Sequence, residues 1–161
     1  MATETLSKTH TSTVSITRPG DTTTYAAGEV VCNAATLEFP GANSKGSTCL
    51  NYAVITSSQN SATKLDGELW LFSATVAAVA DNAAFAPTDA EMLTLVTVVP
   101  FATADWKVGL SGSAGAGNAT CQITGLAVPI SCRSLFGQLV TRNAYPPIAS
   151  EVFQITLGFI D

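Results

Sequence analysis

EVFQITLGFI (residues 151–160) sets Phe153, Ile155, Leu157 and Phe159 in alternation with Gln154, Thr156 and Gly158. Neighbouring side chains of a strand point to opposite faces, so this period of two predicts a strand with one face on a core. The same texture recurs upstream. TVSITRPG (13–20) alternates Val14 and Ile16 with polar partners and breaks at Arg18, Pro19 and Gly20, a strand followed by a turn. YAAGEVVC (25–32), TLEF (36–39), CLNYAVITS (49–57), LTLVTVVPF (93–101), DWKVGLSG (105–112), TCQITGLAVPI (120–130) and SLFGQLVT (134–141) supply further candidates. In ELWLFSATV (68–76), Leu69, Trp70, Leu71 and Phe72 are consecutive, which predicts a strand buried on both faces.

Eight to ten short strands, regular turn signals and almost no helical period predict an all-β fold, a jelly-roll-like β-sandwich. One helical signal interrupts it. In ADNAAFAPTDAEM (80–92), Thr88 is followed three residues later by Glu91, the form of a capping box, which predicts a short helical turn over 88–92. Residues 1–13 are rich in Thr and Ser without apolar period and read as a flexible N-terminal arm, leaving 14–161 as one sandwich domain.

With 161 residues the chain can bury roughly 70% of its unfolded surface without a staple. Its charged fraction of 12% is about half the usual level, so solubility rests on Thr, Ser, Asn and Gln. Such a surface repels copies of itself weakly and suits dense assembly. The net charge of -5 argues against nucleic acid, since phosphate binding needs clustered Lys and Arg and the seven basic residues here stand singly. Neither a signal-peptide pattern nor a bilayer-spanning run is legible, so the expectation is a soluble product of the cytoplasm with no membrane partner. Cys32, Cys49, Cys121 and Cys132 lack zinc-type spacing and read as buried thiols; Cys32–Cys49 or Cys121–Cys132 bridges are the alternative in oxidising surroundings.

The search for chemistry yields little. His10 is the single histidine and falls in the arm, with nothing to orient it as a base. Asp66 with Glu68, and Asp89 with Glu91, are close pairs, but turn and helix-start roles explain them better than glycosidase chemistry. A calcium site from Asp81, Asn82 and Asp89 matches no loop pattern. GSAGAG (112–117) lacks the lysine of a phosphate loop, and Asn118-Ala119-Thr120 is a sequon that matters only on secretion. Trp70 reads as buried and Trp106, flanked by Asp105 and Lys107, as the tryptophan with a path to solvent. The expectation is no enzyme, no cofactor and no metal.

Three stretches together, ITRPGDTTTYAAGEVV (16–31), LWLFSATVAAVADNAAFAPTDAEML (69–93) and LFGQLVTRNAYPPIASEVFQITL (135–157), resemble a family of small tailed-phage virion proteins that includes cyanophage-like capsid cement or decoration proteins. Across 41–66 and 105–121 the chain has its own composition. The resemblance implies a jelly-roll-like sandwich, commonly a homotrimer, seated on the outer capsid surface, with the major capsid protein as partner. On that view Phe85 anchors the 80–92 loop, Pro87 fixes its exit, and the loop packs on a neighbouring subunit or covers one end of the sandwich. The arm, with His10 and Thr11, would order on a capsid neighbour. The alternative expectation is a head-fibre or carbohydrate-binding virion module for host attachment, with Trp106 as its contact residue.

Overall fold

The computed structural model describes residues 8–31, 36–42, 48–58, 63–108 and 119–161. Nine strands lie among them: β1 (Thr9–Thr17), β2 (Leu37–Pro40), β3 (Thr48–Ser57), β4 (Gly67–Phe72), β5 (Leu95–Phe101), β6 (Trp106–Val108), β7 (Ala119–Ile130), β8 (Ser134–Thr141) and β9 (Val152–Ile160). They form two antiparallel sheets, sheet I in the order β1-β9-β3-β7-β6 and sheet II in the order β2-β8-β4-β5. The pairings nest, β1 with β9, β2 with β8 and β3 with β7. A long antiparallel ribbon rolled so that its strands fall alternately into two sheets is a jelly roll, as the alternation predicts.

The inner faces meet in one core. Phe153, Ile155, Leu157 and Phe159 of β9, with Leu50 and Ile55 of β3, oppose Leu69 and Leu71 of β4 and Leu135 and Leu139 of β8, all at most 1% exposed. Each Leu, Ile or Phe so buried contributes about 1.5–3 kcal/mol relative to exposure. The β3 ladder shifts register between Leu50 and Tyr52. Opposite that point β7 absorbs extra residues, with Gly125 at φ 72° and Ala127 at φ 47°, a bulge that bends the strand.

Sheet II is covered on its outer side as well. Segment 73–88 leaves β4 and folds back across it, with Val30 and Ala83 bonded at 2.9 Å and Phe85 N–H donating to the Gly28 carbonyl at 2.8 Å. Beneath it Trp70, Phe85 and Val79 pack on Val30 and Val140, so β4 is covered on both faces as its apolar run predicts. The helical turn α1 (Asp89–Met92) forms where the capping box places it. Glu91 N–H donates to Thr88 Oγ1 at 3.3 Å, and Thr88 N–H returns to the Glu91 carboxylate at 2.7 Å.

Two readings are corrected. The sandwich begins at Thr9 rather than Val14: Thr9 to Thr13 pair in unbroken register with Ile160 to Thr156, so this half of the supposed arm is strand. Threonine is β-branched and favours the extended backbone, which its polar composition masks. Residues 25–31 form isolated bridges to Tyr145, Ala84 and Val140 rather than a strand ladder, because this lane beside β8 is shared with β2. Residues 1–7, Cys32, the glycine and alanine stretch 111–117 and Asn118 of the sequon lie outside the described residues.

Candidate interaction surfaces

At the end of the sandwich where β1 stops, polar groups from distant parts of the chain meet out of solvent. The Arg18 side chain is fully buried, its guanidinium carbon 4.7 Å from the centroid of the Tyr25 ring. Arg18 Nε donates to the Tyr25 hydroxyl, which donates on to Asp81 Oδ1 at 2.6 Å, while Arg18 Nη2 reaches Asp81 Oδ2 at 3.2 Å. Tyr25 stacks on Tyr145 at 6.2 Å between centroids. The Tyr145 hydroxyl contacts both oxygens of Glu151, at 2.7 and 2.9 Å, and Ser57 Oγ donates to the same carboxylate at 2.5 Å.

These contacts define the chemistry of the cluster. Burial pushes both phenols well above the usual tyrosine range, with the Asp81 hydrogen bond adding at Tyr25 and the Glu151 charge adding at Tyr145, so both hydroxyls keep their protons. Burial also raises the Glu151 carboxyl, against the opposing pull of Ser57 and Tyr145. The Lys64 ammonium is lowered by burial and partly restored by Glu151. Every acceptor named here already faces a donor of its own chain. The cluster is an internal clasp joining the end of β1, the 25–31 segment, the 73–88 segment and the start of β9.

The other acidic pairs are engaged locally. Asp66 accepts from the Asn143 side chain at 2.5 Å, and Glu68 pairs with Arg142 at 2.7 Å and accepts from Trp70 Nε1 at 3.0 Å. Asp89 and Glu91 occupy the first turn of α1. Cys49, Cys121 and Cys132 are free thiols. Burial pushes the Cys121 thiol up to about 11, as expected of a core cysteine.

The residues singled out as contacts fall in different places. Phe85 is half-buried and makes edge contacts with Trp70 at 5.3 Å and Phe72 at 6.4 Å, so it anchors its loop onto its own domain. Pro87 lies beside it, lining with Val76, Val79 and Glu91 a small cavity of about 30 Å³. Trp106 is a correction: it is 7% exposed, and its indole N–H donates to the Leu65 carbonyl at 2.7 Å. Strand alternation turns Trp106 inward while its neighbours Asp105 and Lys107 face solvent. His10 is also oriented, contrary to its reading as part of a free arm. Its Nε2–H donates to the Gly41 carbonyl at 2.8 Å and its ring stacks on Phe159 at 5.0 Å. Thr11 is exposed on β1, opposite Gly158.

Two surfaces remain open to a partner. The first is the tip of the 73–94 segment. Leu93 is 89% exposed and Met92 38%, the large exposed apolar side chains among the described residues, with Ala84, Ala86 and Ala90 exposed nearby. Sequence reading assigned Leu93 to a strand, but β5 starts at Leu95 and Leu93 caps the helical turn instead. The capping box was the available signal, since it fixes where the turn starts and so puts Leu93 next to helix rather than in a strand.

The second surface is the outer face of sheet I. β1 presents Thr9, Thr11, Thr13, Ser15 and Thr17; β9 presents Gln154 and Thr156; β3 presents Tyr52, Val54 and Thr56; β7 presents Thr120, Gln122 and Thr124. Hydroxyls meet across strands, Thr13 with Thr156 at 2.9 Å and Thr56 with Thr120 at 3.4 Å. A shallow depression of about 180 Å³ opens between Ser15, Thr56, Ser58, Val152 and Gln154. Lys107 on β6 is the charged side chain at its margin. Part of the hydroxyl-rich composition noted in the sequence is thus gathered on one sheet face. No family model matches the chain, and no curated protein matches it in sequence.

Proposed function

We propose that the chain is a non-enzymatic virion structural protein, a cement or decoration protein that binds the outer surface of an icosahedral head and stabilises it against internal DNA pressure. The observation that carries the reading is Leu93, held at 89% exposure on a capped turn that the domain itself braces. A large apolar side chain kept in water by a rigid support gains about 25 cal/mol per Å² when a partner covers it. The uncharged hydroxyl face of sheet I adds a broad surface with little charge to desolvate, suited to contact with a large protein shell.

Cement proteins act by adding interface rather than chemistry. A homotrimer would present the Leu93 tip three times, and after the first contact the others form at high effective concentration. The major capsid protein is the partner in this reading. Because Thr9 to Thr13 belong to β1, retention on the shell is assigned to the Leu93 tip and the sheet face instead of an arm through Thr13. The carbohydrate-binding alternative loses its aromatic, since Trp106 is committed to the core.

The test is the copy number in purified virions, by quantitative mass spectrometry against the major capsid protein. Near parity supports a cement role over the whole shell. A few copies per particle favour a fibre, vertex or tail component, and absence from the particle overturns the reading.

A further inference from the structure

The four sheet edges differ in how they are closed to other chains. β2 has four residues, with Glu38 and Pro40 exposed; β5 carries the exposed Pro100; β6 has three residues and the exposed Lys107. Short length, charge and proline are the usual devices that stop one edge from pairing with another. β1 has none of them. It runs nine residues, Thr9–Thr17, without proline, charge or bulge, and no described strand lies beyond it.

The orientation of its backbone follows from its two ends. Asp161 N–H donates to the Lys8 carbonyl at 2.9 Å, and Arg18 N–H donates to the Glu151 carbonyl at 2.9 Å. The even-numbered residues therefore bond β9, and alternation in an antiparallel ladder turns the N–H and C=O of Thr9, Thr11, Thr13, Ser15 and Thr17 toward the free edge. The same five residues place their hydroxyl side chains on the open outer face.

We infer that this edge pairs with β1 of a second copy, antiparallel about a two-fold axis at Thr13, to join two five-stranded sheets into one. In that register Thr13 faces Thr13, Thr11 faces Ser15 and Thr9 faces Thr17. Each is a residue whose backbone points outward, so the free donors and acceptors satisfy one another without remainder. An isologous contact requires a patch that complements itself. A row with a hydroxyl at every outward position and no charge between Lys8 and Arg18 does so, and Arg18 is neutralised by Asp81. The side-chain pairing repeats what sheet I already contains, the Thr13–Thr156 contact at 2.9 Å. On the inner side, Val14, half-buried at the margin of the core, would be covered by Ser12 of the second copy. The pairing is independent of any capsid role.

Sedimentation of the purified chain over a range of concentrations tests it, alongside two kinds of variant. The expectation is an assembly joined by β1 pairs, a dimer or two joined trimers, whose mass halves on Thr13→Pro, a change an edge strand tolerates because the lost N–H faces outward. Oxidation should crosslink Thr13→Cys, since paired Cα atoms lie about 5.5 Å apart in such a ladder, within disulfide reach. Thr9→Cys should crosslink no more than the unsubstituted chain, because the two copies of that position are roughly 27 Å apart in this register. A monomer at every concentration, an oligomer indifferent to Thr13→Pro, or equal crosslinking at both positions overturns the inference. Should Thr13→Pro fail to fold, the crosslinking contrast decides alone.

Discussion

The ring of Tyr52 lies across Gly158 on the outer face of sheet I, in the space that a Cβ at residue 158 would occupy. Tyr52 stands directly opposite Gly158 where β3 shifts register, so the aromatic covers backbone that the glycine leaves bare. Gly158→Ala must push the ring out and is expected to cost about 1–3 kcal/mol. In a Tyr52→Ala background the same substitution should cost much less. Chemical denaturation of the four-member cycle measures the difference, and simple additivity would show that the two residues do not interact.

Glu151 gives the protein an acid dependence opposite to that of a salt-bridged carboxylate. Its folded pKa lies above its ordinary 4.5, so the folded state binds the proton more tightly than the unfolded chain. Its contribution to stability is then full below the ordinary value and is lost as pH rises through the raised one. Glu151→Gln should flatten this part of the stability profile, read as melting temperature against pH. Glu151→Ala should cost about 1–3 kcal/mol, because the buried Tyr145 and Ser57 hydroxyls lose the carboxylate they contact.

Glu91 behaves in the reverse sense. Backbone N–H groups of Ala77 and Thr88 hold its carboxyl below the ordinary range, so its support of the 73–94 segment is present above the ordinary value and lost as pH falls through the lowered one. Removing the other half of the box, Thr88→Ala, should cost about 1 kcal/mol. Hydrogen exchange should show the loss first at Met92 and Leu93, whose amides close the turn on Thr88 and Asp89. Uniform deprotection of the whole domain would show that the turn is not a local unit.

Deletion of residues 1–13 should unfold the protein rather than merely shorten it. Thr9 to Thr13 supply half of β1, and without them the inner face of β9 at Phe159 loses the stacked His10 ring. The expected loss is on the order of 5 kcal/mol, the whole margin of many domains. A chain starting at Lys8 keeps β1 entire and is the reference for the denaturation curves. Equal stability of the two chains would mean that β1 adds nothing to the sandwich.

Leu93→Ser separates the surface from the fold. The side chain has no core contact to lose, so stability should change by less than about 0.5 kcal/mol. Retention on the capsid, measured by co-sedimentation with particles lacking the native protein, should fall. Retention equal to that of the native chain would remove the tip from the proposed interface.

The sequence made the sheets legible because a strand with one wet face writes its period into the chain, as at residues 152–160. The capped turn was legible for a different reason: Thr88 and Glu91 lie within one turn of each other and need no tertiary context. Trp106 was misread by weighing its neighbours' charge above the alternation that turns those neighbours to the other face. Burial of Trp70 was legible in the apolar run Leu69 to Phe72, but the segment that covers it, 73–88, was not. The clasp was illegible because Arg18 lies 63 residues from Asp81 and Tyr145 is brought to Tyr25 only by the fold. Exposure of Leu93 depended on a shift of two residues in where β5 begins.

β9 follows the other described strands in the sequence, yet it lies between β1 and β3 in sheet I. Until residues 152–160 have been made, β1 therefore has no neighbour within sheet I and stands apart from the paired β3, β7 and β6. Closure over such sequence separations is slow and leaves apolar strands unpartnered in the meantime. A product interrupted before residue 152 keeps the core side chains of the other strands but lacks the strand that ties β1 to β3. Synthesis through β9 is thus built into the topology as the condition for a folded sandwich, and chains cut short of it are expected to aggregate or be degraded.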